Sequence, residues 1–337
     1  MKTTLSFDDV LLVPKYSDII SRAEIDISSG FAGKRYDLPI ISSPMDTVTE
    51  SSMAISMSER GALGIIHRYS SVEEQTSLTR QVSVTSGRAA AAVGVTGDFE
   101  DRATALYDAG ARILCIDVAH GHHILVKRAL KKLRDIFGED ITLIAGNVAS
   151  AQAFSDLESW GADAIRVGIG GGSICSTRIQ TGHGTPTFQS VLDCGQARQS
   201  AKIIADGGIR TAGDMVKAIA AGADFVMLGS LLAGTDESPG SVFIDNNTKK
   251  YKVYRGMASR AAQQDWRGRV SSLEGITTTI PYKGPVDFIL TDLAQNIRSG
   301  FSYSGARTIK ELRDSCKFIR QTPSGTFESG THILEPR

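Results

Sequence analysis

The sequence predicts an α/β protein, a single-domain TIM-type (β/α)8 barrel. Three observations point there: eight short apolar runs recur along the chain, helical patterns separate them, and each run ends in glycine or polar residues. In order, the expected strands are 38–41, 63–66, 91–95, 113–116, 143–145, 164–167, 203–205 and 225–228. None shows polar alternation, as suits a parallel sheet buried on both faces. Helical patterns at 99–109, 124–137, 151–160 and 212–221 fill gaps between them. Gly110, Gly161 and Gly222 follow three of these and suit the left-handed position past a helix end. Eight units in series favour a closed barrel over the alternative, an open doubly wound sheet.

Composition sets the outer bounds. The 337 residues are 41% hydrophobic and 22% charged, enough chain for one large α/β domain. The 37 basic and 37 acidic residues balance, so no nucleic-acid partner is expected. No apolar stretch approaches the ~20 residues of a membrane span, and the N-terminal segment has no secretory pattern. The four cysteines, at 115, 175, 194 and 316, form no CxxC pair, which fits a reducing cytoplasm. Residues 235–282 are polar and glycine-rich and read as a flap or lid. Residues 320–337 read as an extended tail that crosses to another subunit. No second domain interrupts the pattern, and the domain is taken as 1–337.

In a barrel, the residue after each strand reaches one shared mouth. The expected rim is Ser43 to Asp46, His67-Arg68, Asp117, Gly146-Asn147, Gly168 to Cys175, Asp206 to Gly208, and Gly229-Ser230. Gly207-Gly208 and Gly229-Ser230 lie on the seventh and eighth turns, where barrels commonly bind phosphate, and glycine lets amides approach an anion. Ser173 and Tyr254 can add hydroxyls. The same glycines also suit simple turn shaping. Four glycines precede Cys175 in GIGGGSICSTR, a loop that exposes its backbone. There Cys175 is either an activated nucleophile or an inert loop thiol, and the loop carbonyls can hold a monovalent cation. Asp206 suits ribose hydroxyls or turn capping equally. His120, His122 and His123 crowd one loop too closely to converge readily on a metal. Glu274 in the lid is a general base or a solvated carboxylate.

Taken together and in order, LSFDDVLLVP at Leu5–Pro14, SPMDTVT at Ser43–Thr49, GIGGGSICSTR at Gly168–Arg178, ADGGIR at Ala205–Arg210 and YRGM at Tyr254–Met257 resemble the family of inosine monophosphate dehydrogenase and guanosine monophosphate reductase. The resemblance covers nearly the whole chain. It implies that Cys175 attacks purine C2, that Thr177 and Glu274 relay a proton, and that a nicotinamide cofactor exchanges hydride. It assigns Asp206 to ribose, and Ser173, Gly208, Gly229, Ser230 and Tyr254 to phosphate. Ser43, Met45, Gly256, Met257 and Gly275 fall to the base and its surroundings. Asp117, Asn147 and Gly168 fall to the cofactor end, and the carbonyls of Gly170, Gly172 and Cys175 to a potassium ion. A homotetramer is also implied.

The direction of reaction is split. The lid between Gly256 and Glu274 is short and lacks an Arg-Tyr pair, and the tandem regulatory domain of most dehydrogenases is absent, both of which favour a reductase using NADPH on guanosine monophosphate. The SPMDTVT loop, the AHGH segment at Ala119–His122 and the ESG at Glu328–Gly330 look more like the dehydrogenase, which oxidises inosine monophosphate with NAD; Arg267 or Arg269 then replaces a flap arginine. A catalytically silent nucleotide-binding barrel is the third reading.

Overall fold

The structure, a computed structural model, describes residues 3–331. Eight parallel strands close into a barrel, each paired with the next and the last with the first. In chain order these are β1 (Ile40–Ser42), β2 (Leu63–Ile66), β3 (Ala90–Val93), β4 (Ile113–Asp117), β5 (Thr142–Val148), β6 (Ala164–Val167), β7 (Lys202–Asp206) and β8 (Phe225–Leu228). The expected strands all form, shifted by at most three residues at an end; the open sheet is excluded by the β8–β1 pairing of Val226 with Ile40.

The unbroken apolar runs have a tertiary cause. Leu63, Ile65, Ala90, Ala92, Ile113, Cys115, Phe225 and Met227 point into the barrel, whereas Ile66, Ala91, Val93, Leu114, Ile116, Val226 and Leu228 pack against the helices. Both faces are dry, so the period of two is hidden behind uniform hydrophobicity. At ~1.5–3 kcal/mol for each large apolar side chain buried, these two layers supply the main favourable term. A hairpin of Ser29–Phe31 with Lys34–Tyr36 plugs one end of the interior, where Phe31 and Tyr36 set their ring edges on Phe225 at 5.9 and 5.7 Å.

The outer helices are α1 (Ser51–Glu59), α2 (Val72–Ser86), α3 (Phe99–Asp108), α4 (Ile124–Phe137), α5 (Ala151–Ser159), a short α6 (Thr177–Thr181), α7 (Thr187–Ala197) and α8 (Ala212–Ala220). Ser71, Ser150 and Thr211 cap α2, α5 and α8 by accepting amides in the first turn. Gly110, Gly161 and Gly222 do take positive φ, at 100°, 102° and 125°. β2 passes into α2 through five residues, so no domain is inserted there.

The 235–282 segment is built, not irregular. Strands β9 (Phe243–Ile244), β10 (Lys250–Arg255) and β11 (Thr277–Pro281) form an antiparallel sheet, and α9 (Arg260–Arg267) lies between the last two. Then come α10 (Val286–Tyr303) and α11 (Ile309–Ser315), and Phe318–Arg320 pairs antiparallel with Val10–Leu12. The tail was expected to be extended. It instead forms a short helix, α12 (Pro323–Glu328), with Thr322 accepting the Gly325 amide and proline at the first helical position. Residues 332–337 lie outside the described part. No helix among the described residues is long and apolar enough to cross a membrane.

Candidate active site

A cavity of about 540 Å³ opens at the C-terminal ends of the barrel strands. Every residue that the sequence assigned to substrate, cofactor, cation or catalysis lines it, from Ser43 and Met45 after β1 to Glu274 and Gly275 in the lid. Four residues of the expected rim do not: Asp46, His67, Gly146 and Gly171. His67 is buried against Glu50, at 3.2 Å, and Asp46 holds Arg255.

Cys175 sits at the centre of this ring of turns. Its thiol donates to the Thr177 hydroxyl at 3.1 Å. The loop around it is tied down more firmly than its glycines suggest. Cys175 bridges Gly275 of the lid, the Ser176 amide donates to the Glu274 carbonyl at 2.9 Å, and the Ile276 amide donates to the Ile174 carbonyl at 3.1 Å. Lid and loop therefore share backbone hydrogen bonds, which brings Glu274 beside the Cys175–Thr177 pair. The other thiols are placed for packing. Burial pushes Cys115 and Cys194 up to about 12, so neither is a nucleophile near neutral pH.

The seventh and eighth turns meet the same loop. Gly207 and Gly208 have φ of 88° and 78°, and a side chain on Gly207 would lie 3.0 Å from the Gly172 amide. Gly168 is more constrained: a Cβ there would fall 1.9 Å from the Asp206 carbonyl, at φ 147°. At Gly229 a Cβ would meet the Tyr254 hydroxyl at 2.9 Å, with Ser43 and Met45 behind it. Tyr254 pairs with Ser173, and burial pushes its hydroxyl up to about 12, so it is a neutral donor. The result is a concave patch of amides and hydroxyls, the chemistry of an oxyanion or phosphate cradle, with Asp206 at its edge. No helix starts at Gly229-Ser230, where the chain makes a single turn through Leu232 and Ala233 amides onto the Gly229 carbonyl. The cradle rests on turn amides there, not on a helix dipole.

A charged network adjoins this patch at Asp206, which directly precedes Gly207. Arg166 donates to Asp117 at 2.6 Å and to Asp206 at 2.9 Å; Asn147 donates to Asp206 at 2.7 Å and to the Gly168 carbonyl at 2.8 Å. Arg68 and Tyr69 reach Asp117 from the turn after β2. Burial alone would raise the Asp117 carboxyl, but Arg166 and Arg68 outweigh it and hold the group below the usual carboxylate range.

Comparison with known proteins fits this architecture. The profile of the IMP dehydrogenase / GMP reductase domain matches residues 4–332. Inosine-5'-monophosphate dehydrogenase of Nitrosopumilus maritimus is 34% identical, over 98% of this chain and 98% of that protein. The chain belongs to the IMP dehydrogenase / GMP reductase family. The corresponding dehydrogenase of Staphylococcus epidermidis is 33% identical, over 99% of this chain and 96% of its own. Both alignments exceed the 337 residues here, at 470 and 474 positions, so those relatives carry residues inside the matched span that this chain lacks. Among solved structures, a cysteine-to-alanine variant of GMP reductase from Trypanosoma brucei, in complex with guanosine 5'-monophosphate, superposes with a TM-score of 0.92 at 31% identity, covering 98% of each chain.

As an enzyme of this family, the protein shows features that sequence reading missed. Arg166 lies inside an apolar strand, where a lone buried cation was itself the signal: 7% exposed, it needed anionic partners, and Asp117 and Asp206 are they. Trp266 and Gln263 of α9 were read as polar lid, yet Gln263 is buried and pins the lid by donating to the Ala258 and Ser272 carbonyls. The histidines do not converge. His122 pairs with Asp156 at 2.8 Å, His123 accepts the Leu125 amide as the cap of α4, and no cluster of three metal-ligating side chains occurs among the described residues.

Proposed function

We propose that the protein is a GMP reductase, converting guanosine monophosphate to inosine monophosphate and ammonia at the expense of NADPH. The observation that carries this reading is the lid. Between Gly256 and Glu274 it folds as one eight-residue helix and returns directly to the Cys175 loop, with no long flap to deliver water to the ring. The bound guanosine monophosphate of the Trypanosoma brucei reductase supports the substrate class.

In this reading the turn amides of Gly208, Gly229 and Ser230, with Ser173 and Tyr254, hold the phosphate. Asp206 takes the ribose hydroxyls, and Ser43, Met45 and Met257 meet the base. The Cys175 thiolate adds to purine C2. The 2-amino group leaves as ammonia, taking a proton that Glu274 passes through Thr177. NADPH held beside Asp117, Asn147 and Gly168 would supply the hydride for C2, and Cys175 is released as thiolate when its bond to that carbon breaks. Asp117, Asn147 and Gly168 border that cofactor end; their carboxylate, amide and backbone suit an uncharged amide-bearing ring. The Gly170, Gly172 and Cys175 carbonyls belong to one turn, closed by the Cys175 amide on the Gly172 carbonyl at 3.2 Å, and fit a monovalent cation such as potassium. The site works in a homotetramer in the cytoplasm.

The second reading is IMP dehydrogenase with NAD, favoured by the names of the curated relatives and by Arg267, which lines the cavity. Two mixtures decide. With guanosine monophosphate and NADPH, the reduced-nicotinamide absorbance should fall. Reduction of NAD by inosine monophosphate, with no NADPH loss, would reverse the assignment.

A further inference from the structure

α9 buries two of its side chains, and one of them, Gln263, is polar and 4% exposed. Its amide is fully engaged. Nε2 donates to the Ala258 carbonyl at 3.0 Å and to the Ser272 carbonyl at 2.8 Å. Oε1 accepts the Ser271 amide at 2.8 Å and the Ser271 hydroxyl at 3.0 Å. Two donors set against carbonyls and one oxygen set against an amide fix the orientation of the group. Among uncharged side chains only asparagine, one carbon shorter, offers the same set.

These bonds hold a stretch without regular structure. From Gly268, where α9 ends, to Glu274 the chain forms neither helix nor strand. Three consecutive carbonyls at its end are held from two sides. Ser272 is bound by Gln263, Leu273 by the Ser176 hydroxyl at 3.4 Å, and Glu274 by the Ser176 amide at 2.9 Å. Ser176 belongs to the Cys175 loop, so Gln263 is the anchor on the lid side. The Ser272 hydroxyl in turn donates to the Glu274 carboxylate at 3.3 Å. Ala258, the other carbonyl that Gln263 binds, follows Met257, and both line the cavity with Gln263.

We infer that Gln263 is a positioning residue for the proton relay: its amide clasps Ser271 and Ser272 to the turn at Met257-Ala258 and so sets where the Glu274 carboxylate stands beside Cys175 and Thr177. This rests on the relay role given to Glu274 above. A reacting group misplaced by about 1 Å costs up to ~10²-fold in rate, so a clasp remote from the substrate still governs turnover.

Gln263→Leu is close in volume and removes all four hydrogen bonds. Assayed in whichever of the two mixtures the parent turns over, kcat should fall about tenfold, while the dissociation constant of the purine monophosphate, measured by calorimetry, stays within about threefold. In the Glu274→Gln background the same substitution should cost less than about twofold, because a residue that acts through Glu274 has nothing left to position. Losses that multiply there overturn the proposal, since they place the effect on the fold at large. Gln263→Glu gives an independent reading should the leucine variant fail to fold. Its carboxylate has no proton for the Ala258 and Ser272 carbonyls, so kcat relative to the parent should recover as pH falls and the group becomes a donor. A ratio flat across pH overturns the clasp, as does undiminished kcat in Gln263→Leu, and both leave the reaction standing. Full turnover in Glu274→Gln removes the relay and the clasp together. A parent that turns over in neither mixture removes the oxidoreductase reading itself.

Discussion

At the scale of single residues, the site depends on one sulfur and on where side chains are missing. Cys175 is half-buried on the cavity wall with Thr177 at 3.1 Å, whereas Cys115 and Cys194 are sealed in packing. Cys175→Ala should therefore lower turnover by about 10³-fold or more and leave nucleotide affinity, measured by calorimetry, within about twofold. Persistent turnover would end the covalent mechanism. Gly229 tests the cradle by space alone. A methyl there meets the Tyr254 hydroxyl at 2.9 Å, the Ser43 hydroxyl at 3.3 Å and the Met45 sulfur at 3.4 Å. Gly229→Ala should raise the dissociation constant for guanosine monophosphate by about tenfold while leaving the melting temperature nearly unchanged, because the side chains it displaces face the cavity. A large fall in melting temperature with unaltered affinity would show that Gly229 serves packing, not the ligand.

The secondary-structure elements were legible in proportion to their burial. Strands β1–β8 and helices such as α4 and α8 announce themselves because dry faces demand apolar residues and helix ends demand Ser, Thr and Gly at fixed offsets. The lid was not, because β9–β11 pair mainly with one another and leave Phe243, Ile244 and Thr278 exposed, so no apolar run marks them. Local signs of α9 were nonetheless present: Ser259 caps its start, and Gly268 ends it with φ 63°. Junctions between elements hold the barrel's outer layer together. Asp224, 4% exposed before β8, accepts the Ile203 amide at 2.9 Å and Arg198 at 2.7 Å, and meets Arg313 of α11 at 3.3 Å. Asp224→Ala leaves those groups without their anion and should cost about 3 kcal/mol in urea unfolding, with cofactor and nucleotide affinity intact. A cost below about 0.5 kcal/mol would show the cluster to be a solvated surface pair.

For the whole molecule, the exposed surface is informative. The chain presents 15658 Å², against about 13,000 Å² for a typical monomer of its 36.0 kDa mass. Apolar side chains are exposed on the lid sheet and its flank, where Ile244 is 62% and Ile276 51% exposed. This fits the proposed homotetramer, and sedimentation velocity should return four times the chain mass; a monomer at micromolar concentration would refute it.

The sequence by itself determined the barrel, the order of its turns and most of the residues that reach the mouth. The reason is that strand and cap signals are local, and closure sends whatever follows each strand to the same end. Only the tertiary structure decided how those residues engage. Arg166 joins Asp117 and Asp206 across 49 and 40 positions, and Ser176 meets the Leu273 carbonyl of the lid across 97. Such contacts are set by barrel closure and side-chain direction, which no local pattern encodes.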